Sequence, residues 1–282
     1  MKQRIFLAFL ITLVVSNPLA LFCRTVGAQV SNIRLTVMTY NIGVEGPPIP
    51  TETEIAAVIA NAGQPDVLLI QDAPWRIKFT HLVDLLGYRY LYNGRTLTPR
   101  TNGAIVSKYP LEDRDVLYFY SHNSRPSALG AMIAFHGKRI FLASVHFDTL
   151  RDFLKPRTDK CFRRSWFQLL WDEYFSESCH QESADKLLKW IGLKTYNYAL
   201  IGGDFNSPLL SKPIRRISHA YKDSLWPSWN FFSGTKRIRS SFLPNPRIDY
   251  LFHSLHLSCV EARVINHTAG DHYPIYGIFQ MP

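Results

Sequence analysis

Downstream of residue 31 the apolar residues of this chain switch repeatedly between strand-like runs and helical stripes. The order in which they switch restricts the fold more than any other feature. Leu35-Thr36-Val37-Met38-Thr39-Tyr40 is extended and β-branched, and Ile55, Val58, Ile59 and Ala62 then fall at i, i+3, i+4 and i+7, the stripe of a helix packed on a sheet. Residues 67–70 read as a buried strand, and Leu82, Val83, Leu85 and Leu86 as a second helix. Segments 104–107, 116–120, 128–135 and 140–146 follow as consecutive strands, the last two joined as a hairpin at His136-Gly137-Lys138. Ala184, Leu187, Leu188 and Ile191 restore the helical spacing before a strand at 198–201, and strands at 248–252, 260–265 and 275–279 close the chain. A βα start followed by hairpins predicts an α/β protein with mixed sheets, not a doubly wound parallel sheet. With no internal repeat and no linker rich in Gly, Ser or Pro, residues 31–282 read as one domain.

Two stretches break this rhythm. Residues 149–180 separate a strand from a helix by far more chain than such a connection needs, which predicts a functional or stapled excursion. Residues 208–246 interleave Lys212, Arg215, Arg216, Lys222, Lys236, Arg237 and Arg239 with Tyr221, Trp226, Trp229, Phe231, Phe232 and Phe242, against the single acid Asp223. Ahead of the domain, Lys2 and Arg4 precede an apolar run from Ile5 to Val15, a second short run ends at Cys23, and Val26-Gly27-Ala28 supplies the small residues a signal peptidase accepts. Residues 1–28 are therefore expected to be a signal peptide cleaved after Ala28. The rival reading is an uncleaved membrane anchor, since the segment from Ile5 to Cys23 nearly reaches the ~20 residues of a span. Bulky Phe22 disfavours a lipid anchor on Cys23. The chain is expected to be exported, periplasmic or extracellular. In an oxidising compartment Cys161 and Cys179, close in sequence, are expected to pair and Cys259 to remain a buried thiol.

The chemistry gathers at strand ends. Ile201-Gly202-Gly203-Asp204-Phe205-Asn206 runs an apolar strand into a carboxylate and a carboxamide two residues apart, which face the same way in an extended backbone. A carboxylate that accepts a proton beside an amide that donates to a phosphoryl oxygen suits water attack at phosphorus. Asn41, Gln71-Asp72, His146, Asp249 and Asp271-His272 stand against other apolar runs. Singly each has a plain structural reading: Asn41 as a turn residue, Asp249 as a buried partner of Arg247, His146 as a core imidazole, Asp271 as a cap. Together, in one domain, those readings become poor.

The ordered series Thr39-Tyr40-Asn41, Leu69-Ile70-Gln71-Asp72, Gly103-Ala104-Ile105-Val106-Ser107-Lys108-Tyr109-Pro110, His146, Gly203-Asp204-Phe205-Asn206, Ile248-Asp249-Tyr250 and Asp271-His272 resembles the endonuclease/exonuclease/phosphatase superfamily. That superfamily includes deoxyribonuclease I, exonuclease III-type nucleases, bacterial sphingomyelinases and inositol polyphosphate 5-phosphatases. The resemblance implies a four-layer α/β sandwich, two packed mixed β-sheets flanked by helices, with the active site at one end of the sheets. It further implies a divalent cation, Mg²⁺ or Mn²⁺, with Asn41, Asp72 and Asp271 on the metal side and Asp72 as principal carboxylate. Asp204 would orient or deprotonate the attacking water, and Asn206 would hold the phosphoryl group. His146 and His272 would bind non-bridging oxygens or exchange protons, and Asp249 would orient and charge His272. Arg125 is a further candidate phosphate contact. One departure stands out: the family usually has Glu where this chain has Asp72, which draws the carboxylate back by ~1.5 Å, far more than metal–oxygen distances tolerate. Gly270, where the family often has Ser, concerns only an accessory hydroxyl. No Cys/His cluster has zinc spacing and no Gly-rich loop matches a nucleotide-binding fingerprint.

The superfamily shares its chemistry and not its ester, so only the surroundings can choose a substrate. The chain holds 32 Lys and Arg against 22 Asp and Glu, a formal net charge of +10, with 46% hydrophobic residues. Disordered, collagenous and coiled-coil classes are excluded by that composition. The charge favours a polyanion or an anionic membrane surface, and the bases of the irregular stretches, among them Arg151, Lys155, Arg157, Lys160, Arg163 and Arg164, would form a footprint for a nucleic-acid backbone if they flank the site. The expected activity is therefore a secreted, metal-dependent phosphodiesterase, with nucleic acid as first substrate. An anionic or choline lipid is the alternative, because Trp226, Trp229, Phe231 and Phe232 could stack on bases, enter a lipid surface or simply be core. A phosphomonoesterase of the same fold is a further alternative. A catalytically weakened binding protein is a third reading, motivated by Asp72 and opposed by the intact Asp204, Asn206, Asp249 and His272. No dedicated protein partner is indicated, and the chain is expected to be a monomer.

Overall fold

Alternation along the strands decides which face meets which layer. The structure, a computed structural model, describes residues 33–98, 101–119, 127–154, 161, 163, 165–226, 228–238 and 244–281, with the backbone alone at 229 and 230. The expected signal segment 1–28, Arg125, Lys155, Arg157, Lys160, Arg164, Arg239 and Phe242 lie outside the described residues, as does the side chain of Trp229.

In chain order the elements are β1 (Arg34–Asn41), α1 (Glu52–Asn61), β2 (Val67–Gln71), α2 (Phe79–Leu86), β3 (Tyr90–Asn93), β4 (Ala104–Ser107), β5 (Glu112–Tyr118), β6 (Ser127–Phe135), β7 (Lys138–His146), α3 (Trp166–Phe175), α4 (Cys179–Gly192), β8 (Tyr198–Asp204), α5 (Lys212–Ser218), β9 (Tyr221–Asp223), β10 (Asp249–Ser254), β11 (Ser258–Val264) and β12 (Ile275–Gln280). They form two six-stranded sheets, ordered β11-β12-β1-β2-β4-β3 and β5-β6-β7-β8-β10-β9. Both are mixed: β1–β2 and β7–β8 pair in parallel and their other neighbours antiparallel.

Leu35, Val37, Val67 and Leu69 from the first sheet meet Leu129, Ala131, Leu142 and Leu200 from the second, and together they fill the space between the sheets. The intervening residues turn outward. Met38, Tyr40, Leu68 and Ile70 pack under α1 and α2, while Phe141, Ala143, Ala199 and Ile201 pack under α4 and α5. The result is the four-layer sandwich with mixed sheets that the sequence implied. α1 starts at a capping box, Thr51 with Glu54. The hairpin turns at His136 and Gly137, both at positive φ, with Phe135 opposite Lys138.

Elements without a clear period are the ones that the sequence did not announce. β3 and β9 are short edge strands, and α5 and α3 lie inside the two irregular stretches. α4 begins at Cys179, so the excursion runs directly into its first turn. Cys161 and Cys179 are joined by a disulfide, and Cys259 is a free, half-buried thiol whose pKa burial pushes up to about 11. In the 208–246 stretch, Phe231 is buried beneath Arg247 rather than offered to a ligand, whereas Trp226 and Phe232 are exposed.

Candidate active site

The parallel pair β7–β8 and the antiparallel pair β8–β10 end in register. His146 stands opposite Asp204, and Asp204 opposite Asp249, so three strand ends deliver their polar residues to one line. β1 ends at Asn41 in the facing sheet, and its amide donates across to Asp204 Oδ2 at 2.8 Å. Gln71 fixes the distance between the sheets at this end: its Nε2 donates to Ser144 Oγ at 2.9 Å, and that hydroxyl donates to Ile70 O at 2.9 Å. Gly202 lets the sheets approach, since a Cβ there would lie 2.8 Å from both Leu69 Cδ1 and Thr39 Cβ.

Asp204 is the hub. Its Oδ1 accepts from the Asn206 backbone N–H at 2.8 Å, and its Oδ2 lies 3.9 Å from His146 Nε2 and 3.8 Å from His272 Nε2. The last two separations exceed hydrogen-bond length and match groups that share an intervening small ligand or water. Burial, with the Asp249 carboxylate close by, raises the Asp204 pKa. His272 is buried, and its Nδ1–H donates to Asp249 Oδ2 at 2.8 Å. Burial alone would lower its pKa, but the Asp249 and Asp204 carboxylates outweigh that and raise it. Asp249 is in turn held by its backbone N–H, which donates to Thr235 Oγ1 at 2.9 Å. Arg247 is not its partner: the guanidinium binds both oxygens of Asp223 at 2.6 and 2.7 Å. Asn206, at φ 47°, donates one amide hydrogen to Phe147 O at 3.0 Å, and its other amide hydrogen meets no acceptor among the described residues.

The chain matches the Endonuclease/Exonuclease/phosphatase family over residues 38–272. It belongs to the endonuclease/exonuclease/phosphatase family. Solved structures repeat the fold at low identity. An endonuclease/exonuclease/phosphatase from Beutenbergia cavernae DSM 12333 is 18% identical, with a TM-score of 0.64 over 88% of this chain and 72% of that one. A D. rerio TDP2 humanized by 14 mutations is 13% identical, with a TM-score of 0.65 over 88% and 99%. A truncated Caenorhabditis elegans TDP2 is 18% identical, with a TM-score of 0.63 over 88% and 98%. No curated protein matches the chain in sequence.

Enzymes of this family typically use divalent cations, and the donors present here fit one. Gly43 forms the cradle: a Cβ on it would lie 2.6 Å from Asp72 Oδ2 and 3.0 Å from Asn41 Oδ1, so the glycine leaves room for two converging oxygens. Asn41 Oδ1 accepts from Gly43 N at 2.8 Å and retains a second lone pair. The short Asp72 side chain reaches this point from a left-handed backbone, φ 45°, a conformation that Asp tolerates better than most residues. Asp271 Oδ1 has no hydrogen-bond partner among the described residues and lies 3.7 Å from His272 Nε2, while its other oxygen is taken by Lys236, so Asp271 stands on the imidazole side of the site. All these donors are oxygens, which suits a hard ion. Asp204, Asp249 and His272 also offer atoms within 4.8 Å of one another. Those atoms are already engaged by Asn41, Asn206 and each other, so the Asn41–Asp72 cradle fits a cation better.

Two further residues stand near the site: Lys236, named above only as one base of the 208–246 stretch, and Arg95, which carried no signal. Lys236 Nζ lies 3.1 Å from both His272 Nε2 and Asp271 Oδ2. The neighbouring chain delivers it: Thr235 O accepts from Tyr273 N at 2.7 Å and Lys236 N donates to Pro246 O at 3.1 Å. Arg95 donates to the carbonyls of Ala73, Pro74 and Ile77, each at 2.6 Å, and so fixes the turn that follows Asp72. Both are brought in from distant sequence, and no spacing rule could have found them.

Proposed function

We propose that this protein hydrolyses phosphodiesters by attack of an activated water, with Mg²⁺ or Mn²⁺ bound on the Asn41–Asp72 side. The observation that carries the reading is Asp204: a buried, ionisable carboxylate with raised proton affinity, fixed by two amides and facing two imidazoles across ligand-sized gaps. Asp204 takes the proton of the attacking water as its oxygen bonds to phosphorus, the ester P–O bond breaks, and the departing oxygen takes a proton from solvent. His272, charged by Asp249, and His146 face the non-bridging oxygens from the other two sides, and Lys236 adds a fixed cation beside His272. The free amide hydrogen of Asn206 donates to the phosphoryl group. A bound divalent cation would polarise a phosphoryl oxygen and offset the charge that develops there.

For the ester, the 29 Lys and Arg against 22 Asp and Glu beyond residue 28, a surplus of +7, support nucleic acid. The described bases near the excursion are partly committed, Arg163 to Asp172 and Arg151 to Glu45 at 3.6 Å. A membrane-borne ester is the second reading, supported by the exposed aromatic rings of Phe167, Trp171 and Phe175 on α3. Export is supported by the N-terminal sequence and by the disulfide. Among the described residues no helix is long and apolar enough to cross a membrane. The test offers the purified protein plasmid DNA, RNA, sphingomyelin and phosphoinositides with Mg²⁺, Mn²⁺ or EDTA. Metal-dependent cleavage of DNA or RNA that EDTA abolishes is expected. Hydrolysis of lipid alone selects the second reading, and no turnover with any ester or metal overturns the enzymatic one.

A further inference from the structure

α3 is amphipathic in the wrong sense. Its buried residues are Leu169 and Glu173, while Phe167, Trp171 and Phe175 are 76%, 52% and 67% exposed. At about 100° per residue the i, i+4, i+8 row of Phe167, Trp171 and Phe175 points roughly opposite to Leu169 and Glu173, straight into solvent. The three rings form a continuous strip, with centroids 6.2 Å apart between Phe167 and Trp171 and 5.0 Å between Trp171 and Phe175. Leu170 widens it on one flank and is exposed, as is Trp166 at the first turn. Aqueous exposure of five large apolar side chains on one ten-residue helix marks an interaction surface.

The protein invests in holding this helix outward. Cys161 and Cys179 close a disulfide around it. Beneath it lies a fully buried ion pair, with His180 Nδ1 3.1 Å from Glu173 Oε1 and His180 Nε2 2.8 Å from Asp148 O. Ser207, directly after Asn206 in the active-site turn, donates to Glu173 Oε2 at 3.3 Å, so the helix is anchored one residue from the proposed chemistry. Beside the strip Arg216 is taken by Asp185 and Glu177 is an exposed acid, which leaves Lys212 and Arg215 of α5 as the bases without an ion pair among the described residues. The acids of α3 are spent, Asp172 on Arg163 and Glu173 on His180, whereas Arg215 of α5 reaches Tyr174 O and makes no ion pair among the described residues. In sequence, the chain entering the helix is rich in Lys and Arg.

We propose that the α3 face docks on an anionic lipid bilayer, with Phe167, Trp171 and Phe175 entering the headgroup boundary and Lys212 and Arg215 of α5 facing the lipid charge. Trp and Phe on a short helix beside uncompensated bases have the chemistry of an interfacial element. Docking would bring the active-site end of the sandwich, one helix away, to the membrane. This goes beyond the hydrolytic reading and does not depend on it.

The test is sedimentation of the full chain with phosphatidylglycerol–phosphatidylcholine vesicles, in parallel with Phe167→Ser/Trp171→Ser/Phe175→Ser and with all three positions changed to Leu. The wild type is expected to partition onto the vesicles and to loosen as salt rises. The serine variant is expected to lose partitioning by roughly a hundredfold, and the leucine variant to retain most of it. Unchanged circular dichroism and an unchanged denaturant midpoint in the serine variant separate docking from unfolding. Equal vesicle binding by all three proteins overturns the proposal. So does a wild-type dimer in sedimentation velocity that the serine variant converts to monomer without any vesicle binding.

Discussion

At the residue scale the site depends on which oxygen each donor reaches. Replacing Asp204 by Asn removes the proton acceptor but keeps the shape, so turnover should fall by ~10³-fold with the fold intact. A residual rate within tenfold of wild type, measured on whichever ester the panel identifies, would contradict its role. His272→Ala removes an imidazole held by Asp249 at 2.8 Å and is expected to be as damaging. Asp72→Ala leaves Asn41 alone over the Gly43 cradle, and the metal concentration for half-maximal rate should rise tenfold or more, a shift also readable by calorimetric titration of Mn²⁺. The identities of Asn41, Asp72, Asp204, Asn206 and His272 were legible because each abuts an apolar run. Lys236 was not, because what brings it to His272 is a pair of backbone hydrogen bonds across sequence-distant loops.

At the scale of elements, α3 and the stretch from α5 to β10 are irregular parts held by buried polar groups instead of by period. Both nitrogens of His180 face acceptors, Asp148 O and Glu173, which is the hydrogen bonding of an imidazolium. Burial would lower its pKa, but Glu173 outweighs that and raises it above the ordinary 6.5. A raised folded-state value contributes stability that is complete below 6.5 and disappears as pH rises through the folded value. Hydrogen exchange in α3 and the first turn of α4 should therefore accelerate on the alkaline side, and His180→Gln should flatten that dependence. In the other stretch Arg247 is clamped between the Phe231 and Tyr250 rings, 5.2 and 4.7 Å away, while binding Asp223. Asp223→Ala would leave that buried cation unpaired and should cost about 3–5 kcal/mol in denaturant unfolding.

For the whole molecule, one layer of apolar side chains, aliphatic with a few aromatics, fills the space between the two sheets, so damage to it is felt at both. Leu69→Ala, fully buried against the facing sheet, should lower the unfolding free energy by about 3 kcal/mol, seen as a lower denaturant midpoint with an unchanged slope. The sequence by itself determined the layers, since period two and period 3.6 state which faces must be covered, and it determined the strand-end residues that the site uses. The choice of partners was left to the tertiary structure. Arg247 finds Asp223 instead of Asp249, Phe231 goes inside while the aromatics of α3 stay outside, and Asp72 meets Asn41 over a glycine. Local patterns record only what a residue's own backbone neighbours require. Contacts between residues far apart in sequence depend on register, crossover and loop path, and those exist only once both sheets have closed on each other.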